Sequence, residues 1–139
     1  MKSFQQARWA SYNAGKESLE SMSGSQHIAM YGSDATAVPL VLDNSGEKNF
    51  GADLIRFGPR EKVALHEHTG AHILLVTKGE GVLTYHFDTK EETHQMYPGM
   101  IYLIPSNTPH SILATTELVL VAVGNDHQSA GSPNRLNLL

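Results

Sequence analysis

The sequence predicts an all-β chain, a small barrel or sandwich of short antiparallel strands preceded by a polar N-terminal arm. Two observations carry this. Runs rich in Val, Ile, Leu, Thr and Tyr recur at short intervals, cut by Gly, Pro and Asn. Beyond residue 25, no segment sustains a helical hydrophobic period. At 139 residues the chain suits one domain, large enough to bury a core without help from a disulfide or a metal.

The elements follow in order. Residues 1–25 form the arm, polar and with Ser and Gly clustered in "SMSGS". Trp9 and Tyr12 are its candidate anchors, to the domain or to a partner subunit; the plainer reading is a loose tail with at most a short helix. Residues 26–125 carry the strands "HIAMYG", "VPLVL", "GADLIRF", "KVALHEH", "HILLVTK", "GVLTYHF", "ETHQMY", "MIYLI", "HSILAT" and "LVLVAVG". "TKGEGVL" reads as a tight hairpin, because Gly79 and Gly81 can take the positive φ a short loop needs. Pairing 72–78 with 82–87 then sets Leu74 near Tyr85 and aims Tyr85 into the interior. Residues 126–139 read as a C-terminal tail until the closing Leu residues.

Composition removes several functions. Net charge is −4 and no basic run is present, so neither nucleic acid nor an anionic membrane is the expected partner. With no Cys, thiolate metal sites, disulfides and a thiol nucleophile are excluded. The first residues lack the apolar stretch of a signal peptide, and the longest apolar run, "LVLVAV", is far too short for a membrane span. A cytoplasmic protein is expected.

The chemistry concentrates in "HEHTGAH". Residues two apart on a strand share a face, so His66 and His68 project together, about 7 Å apart at Cβ, while Glu67 points the other way. Gly70 permits a sharp turn that returns His72 to that face. Three imidazoles on one face can chelate one ion. "PSNTPH" supplies a fourth candidate, since Pro109 fixes the approach of the chain to His110.

These two segments resemble the motifs of the cupin superfamily. The first family motif runs G-x5-H-x-H-x3,4-E-x6-G. Here Gly58 is followed by seven residues, His66-Glu67-His68, three residues, His72, six residues and Gly79. The second runs G-x5-P-x-G-x2-H-x3-N. Here Gly99 is followed by five residues, Pro105, Ser106, Asn107, two residues, His110, three residues and Ala114. Asn107 in place of Gly is tolerable, because Asn enters the left-handed region. The largest departure is His72, where the family usually has Glu.

The resemblance implies a single cupin-type β-barrel, a jelly roll of two antiparallel sheets, commonly a homodimer. Carried over by position, it implies an all-histidine site of His66, His68, His72 and His110 for one divalent transition metal ion: Fe, Mn, Ni, Cu or Zn. Four neutral ligands leave the ion's full charge uncompensated, favouring an anionic substrate or enolate. Occupancy is expected to fall below about pH 6, where protons compete for imidazole.

The favoured function is a metal-dependent enzyme on a small organic molecule, by dioxygenase-like oxidation of an enol, diketone or phenol. The alternatives are a non-redox lyase or isomerase on a sugar acid, and a non-catalytic module for a small ligand or metal. Tyr85 is the candidate catalytic side chain, as a ligand-orienting group or proton donor, against the plainer role of lining the barrel. Tyr97 and Tyr102 are expected to pack. His27, His94 and His127 have no partner spacing and are expected at the surface. Of Arg56, Arg60 and Lys62, one is available for a substrate carboxylate, although solvated strand-edge charge is the simpler role.

Overall fold

The computed structural model describes residues 8–12, 16–20, 27–43 and 49–139. In the arm, β1 (Arg8–Tyr12) and β2 (Lys16–Glu20) pair with each other, where the sequence suggested at most a short helix. The side chains of Trp9 and Tyr12 lie outside the description. The remaining strands are β3 (Ile28–Ala29), β4 (Thr36–Asp43), β5 (Phe50–Phe57), β6 (Lys62–Glu67), β7 (His72–Lys78) and β8 (Gly81–Phe87). They continue with β9 (Lys90–Met96), β10 (Ile101–Ile104), β11 (His110–Ala114), β12 (Leu118–Gly124) and β13 (Asn137–Leu138).

Two antiparallel sheets form the jelly roll. One runs in the order β10-β7-β12-β5-β4-β3 and the other β13-β6-β11-β8-β9. Alternation along each strand makes the core between them. Ile55, Phe57, Leu74, Val76 and Leu120 from the first sheet join Val63, Leu83, Met96 and Ile112 from the second in one buried cluster. The continuous apolar run of β12 has a second cause. Leu118, Leu120 and Ala122 belong to this core, whereas Val119 joins Leu54 and Val38 in a separate buried cluster.

The expected hairpin at Gly79 does not form. β7 pairs with β10 and β12, while β8 pairs with β11 and β9 in the other sheet. Gly79 does take a positive φ of 82°. Its use is to let the chain cross between sheets against β12, since a Cβ there would lie 1.6 Å from the Glu117 carbonyl oxygen. The cross-strand partners of Tyr85 are therefore His110 and Glu92, and Leu74 lies in the other sheet.

Residues 126–139 do not trail away. Ala130 and Leu136 belong to the main core, and β13 adds to the edge of β6, with Asn137 opposite Glu67 and Leu138 opposite His66.

Candidate metal centre

The site is built where β6 and β11 meet at one end of the smaller sheet. His110, the first residue of β11, is the register partner of His66 near the end of β6. His68 lies just past β6, and its carbonyl accepts a hydrogen bond from the Asn107 amide at 2.8 Å. Asn107 has a φ of 56°, the left-handed conformation expected at this position. The loop thus ties the two histidine segments together.

One ligand nitrogen each from His66, His68 and His110 lies within 4.8 Å of the others. Their tautomers are fixed by the backbone. The Nδ1–H of His66 donates to Ala64 O, that of His68 to Gly70 O and that of His110 to Thr108 O, each at 2.8 Å. A carbonyl can only accept, so Nδ1 carries the proton and Nε2 keeps a bare lone pair. Orientation of a ligating ring through its other nitrogen is what a metal site requires. Burial depresses the basicity of all three: His66 to about 4, His110 to about 3, and His68 downward as well. They are therefore neutral at ordinary pH, the state in which imidazole binds a cation.

His72 reaches the same cavity in a different way. Gly70 presses on the end of β12, where a Cβ would lie 1.9 Å from the Asn125 carbonyl oxygen, so the turn before His72 needs glycine. The His72 ring lies flat against His68, centroids 4.0 Å apart and planes at 24°. Its nitrogens make no hydrogen bond among the described residues, and they are not part of the three-nitrogen cluster. Burial lowers its pKa to about 2, with the charge of His68 as the next cause.

A buried polar trio stands beside these rings. His127, expected at the surface, is 4% exposed, and its ring centroid is 5.8 Å from that of His72. Its Nε2–H donates to Asp53 Oδ2 at 2.8 Å, and Arg135 Nη1 donates to the same oxygen at 2.7 Å. Gly51 makes the room, since a Cβ there would lie 2.8 Å from His127 Cδ2. The signal for this trio was Asp53 itself. A carboxylate inside the apolar run "GADLIRF" needs a buried partner, and that partner is Arg135. Arg56, Arg60 and Lys62 are exposed, and Arg56 pairs with Glu117 at the surface.

Tyr85 is not among the residues that line the histidine cavity. It lines a separate cleft of about 370 Å³ with Leu83, Phe87, His94 and Tyr102. Its hydroxyl donates to Glu92 Oε2 at 2.6 Å, and its ring stacks on exposed His94 with planes at 8°. The Glu92 carboxylate holds the Tyr85 hydroxyl above its usual pKa. Tyr102 donates to Gln95 O at 2.8 Å and so ties β10 to β9.

Comparison with known proteins identifies the family and the fold. Residues 53–124 match the family model described as a cupin domain. Over 66 residues the chain is 36% identical to mannose-6-phosphate isomerase of Schizosaccharomyces pombe, spanning 48% of this chain and 15% of the isomerase. Two solved structures share this fold. Bacillus subtilis oxalate decarboxylase, a protein with Mn(II) centres, is 21% identical with a TM-score of 0.67, covering 84% of this chain and 31% of that one. The polyketide cyclase of Streptomyces resistomycificus is 16% identical with a TM-score of 0.64, covering 84% and 81%.

Proposed function

Since the chain belongs to the cupin family, we propose that it is a metal-dependent enzyme acting on a small organic molecule through an oxygen of the substrate. The observation that carries this is the trio His66, His68 and His110, each with Nδ1 tied to a carbonyl and Nε2 free. His72, stacked on His68 and outside the three-nitrogen cluster, would be the fourth donor. A divalent ion of Fe, Mn, Ni, Cu or Zn would supply Lewis acidity toward the substrate oxygen and, for the redox-active metals, electron transfer.

The chain's own residues orient the donors, keep them neutral and exclude water behind an apolar wall that includes Leu74, Ile112 and Leu120. Apart from the histidines, Arg135 is the one ionisable residue lining this cavity among the described residues. That poverty of acids and bases supports dioxygenase-like oxidation of an enol, diketone or phenol.

A second reading rests on the same histidine trio. A metal held by the histidines would polarise a substrate carbonyl without redox change, which favours a non-redox isomerase or lyase. Oxygen uptake by the metal-loaded chain with a panel of catechols and β-diketones separates the two. Uptake supports oxidation, and turnover of sugar acids without uptake supports the second reading. Absence of turnover in both panels contradicts an enzymatic role and leaves a binding module.

The apolar side chains exposed on the larger sheet support a homodimer. Ile73 and Leu103 are register partners on β7 and β10, 45% and 67% exposed.

A further inference from the structure

Arg135 enters the histidine cavity from a segment beyond the cupin match, which ends at residue 124. Its delivery is structural. Leu136 is drawn into the core, β13 zips onto β6, and the Leu139 amide donates to Leu65 O at 3.1 Å. The residue preceding Leu136 is thereby carried inside, where Arg135 is 5% exposed.

Only part of the guanidinium is used. Nη1 donates to Asp53 Oδ2 at 2.7 Å and to Gln128 O at 2.8 Å, and lies 3.1 Å from His127 Nε2. Nε and Nη2 donate to no described residue. A latch that merely fastened the C-terminal segment would account for Nη1 and leave the rest of the fork idle. Arg135 lines the histidine cavity, so N–H groups left idle there are open to an acceptor that arrives from outside.

The charges and the space define that acceptor. Asp53 balances Arg135, and the cavity histidines are neutral, so a bound divalent ion leaves its own charge uncompensated. The histidine cavity measures about 30 Å³, small beside the cleft of about 370 Å³. It admits a small oxyanion head and not the body of an organic molecule. A planar fork of N–H donors matches a carboxylate.

We propose that Arg135 is the recognition residue for a carboxylate head group of the substrate, gripping it through Nε and Nη2 while the histidine-held metal takes its other side. This rests on the metal reading above and names the substrate class for it.

The test is acetate binding to the full chain loaded with Co(II), whose visible spectrum reports metal and anion separately. In Arg135→Gln, acetate affinity falls about 10-fold or more, while Co(II) affinity and the acetate-free spectrum stay near wild type. Asp53→Asn/Arg135→Gln, which keeps the cavity neutral, gives the same loss. Wild-type acetate affinity in a folded, cobalt-loaded variant overturns the proposal. If neither variant folds, the side-chain ¹⁵N–H resonances of Arg135 in the wild type decide: a shift on adding acetate supports it, and no shift overturns it. A chain that takes up no Co(II) contradicts the metal reading instead, and the same resonances, followed in the metal-free protein, then judge the arginine alone.

Discussion

His66 and His110 face each other across the β6–β11 pairing, with ring centroids 4.1 Å apart and each Nδ1–H fixed on a carbonyl two residues earlier in its own strand or loop. The backbone therefore sets both the position and the tautomer of these rings. Replacing either by Ala removes a donor that its neighbours cannot supply. His66→Ala or His110→Ala is expected to lower metal affinity about 10-fold or more, read by metal analysis after dialysis. Unchanged occupancy in both variants contradicts the ligand assignment.

Acid should act on the metal-free protein before it acts on the folded site. Burial lowers His66 to about 4, His110 to about 3 and His72 to about 2. In the unfolded chain these groups take protons near pH 6.5. Below that pH the unfolded state binds more protons, so stability is full above about 6.5 and is lost as pH falls toward about 4. Urea unfolding at pH 7.5 and 5.5 checks this, and equal stability contradicts it. The folded nitrogens stay unprotonated at pH 6, so metal occupancy should persist below the pH 6 limit that unperturbed histidines suggest.

Asp53 and Arg135 form a buried ion pair, each side chain 4% exposed. Asp53→Ala leaves the guanidinium buried without a counter-charge, at an expected cost of about 3–5 kcal/mol. Asp53→Ala/Arg135→Met should recover most of that loss. Denaturant unfolding of the set gives the coupling directly, and a loss below about 1 kcal/mol in the single variant contradicts the pairing's role.

Leu103→Glu places a charge on the exposed apolar patch with Ile73 and Ile101. The wild type is expected to run as a dimer by light scattering and this variant as a monomer. A wild-type monomer contradicts the dimer proposal.

Much of the architecture was legible in the letters because strand periodicity is local. Each run from "HIAMYG" to "LVLVAVG" overlaps an observed strand, and the spacing of His66, His68 and His110 brings them together. What was hidden is what depends on pairing between distant segments. Gly79 announced a turn, yet a turn residue does not say whether the next strand pairs beside the last or crosses to the facing sheet. That misplaced Tyr85. His127 and Arg135 lie in a polar stretch with no periodicity, and only the partner they share, Asp53 in an apolar strand, marked them. His72 was legible as a neighbour of the site, while its stacking on His68 is a matter of ring orientation that spacing cannot give.

The most direct measurement is a crystal structure of the metal-loaded chain, with anomalous diffraction collected at the metal's absorption edge. A single strong peak about 2.0–2.2 Å from Nε2 of His66, His68 and His110 is expected. A fully loaded protein whose anomalous peak lies elsewhere, or on fewer than two of these nitrogens, contradicts the account.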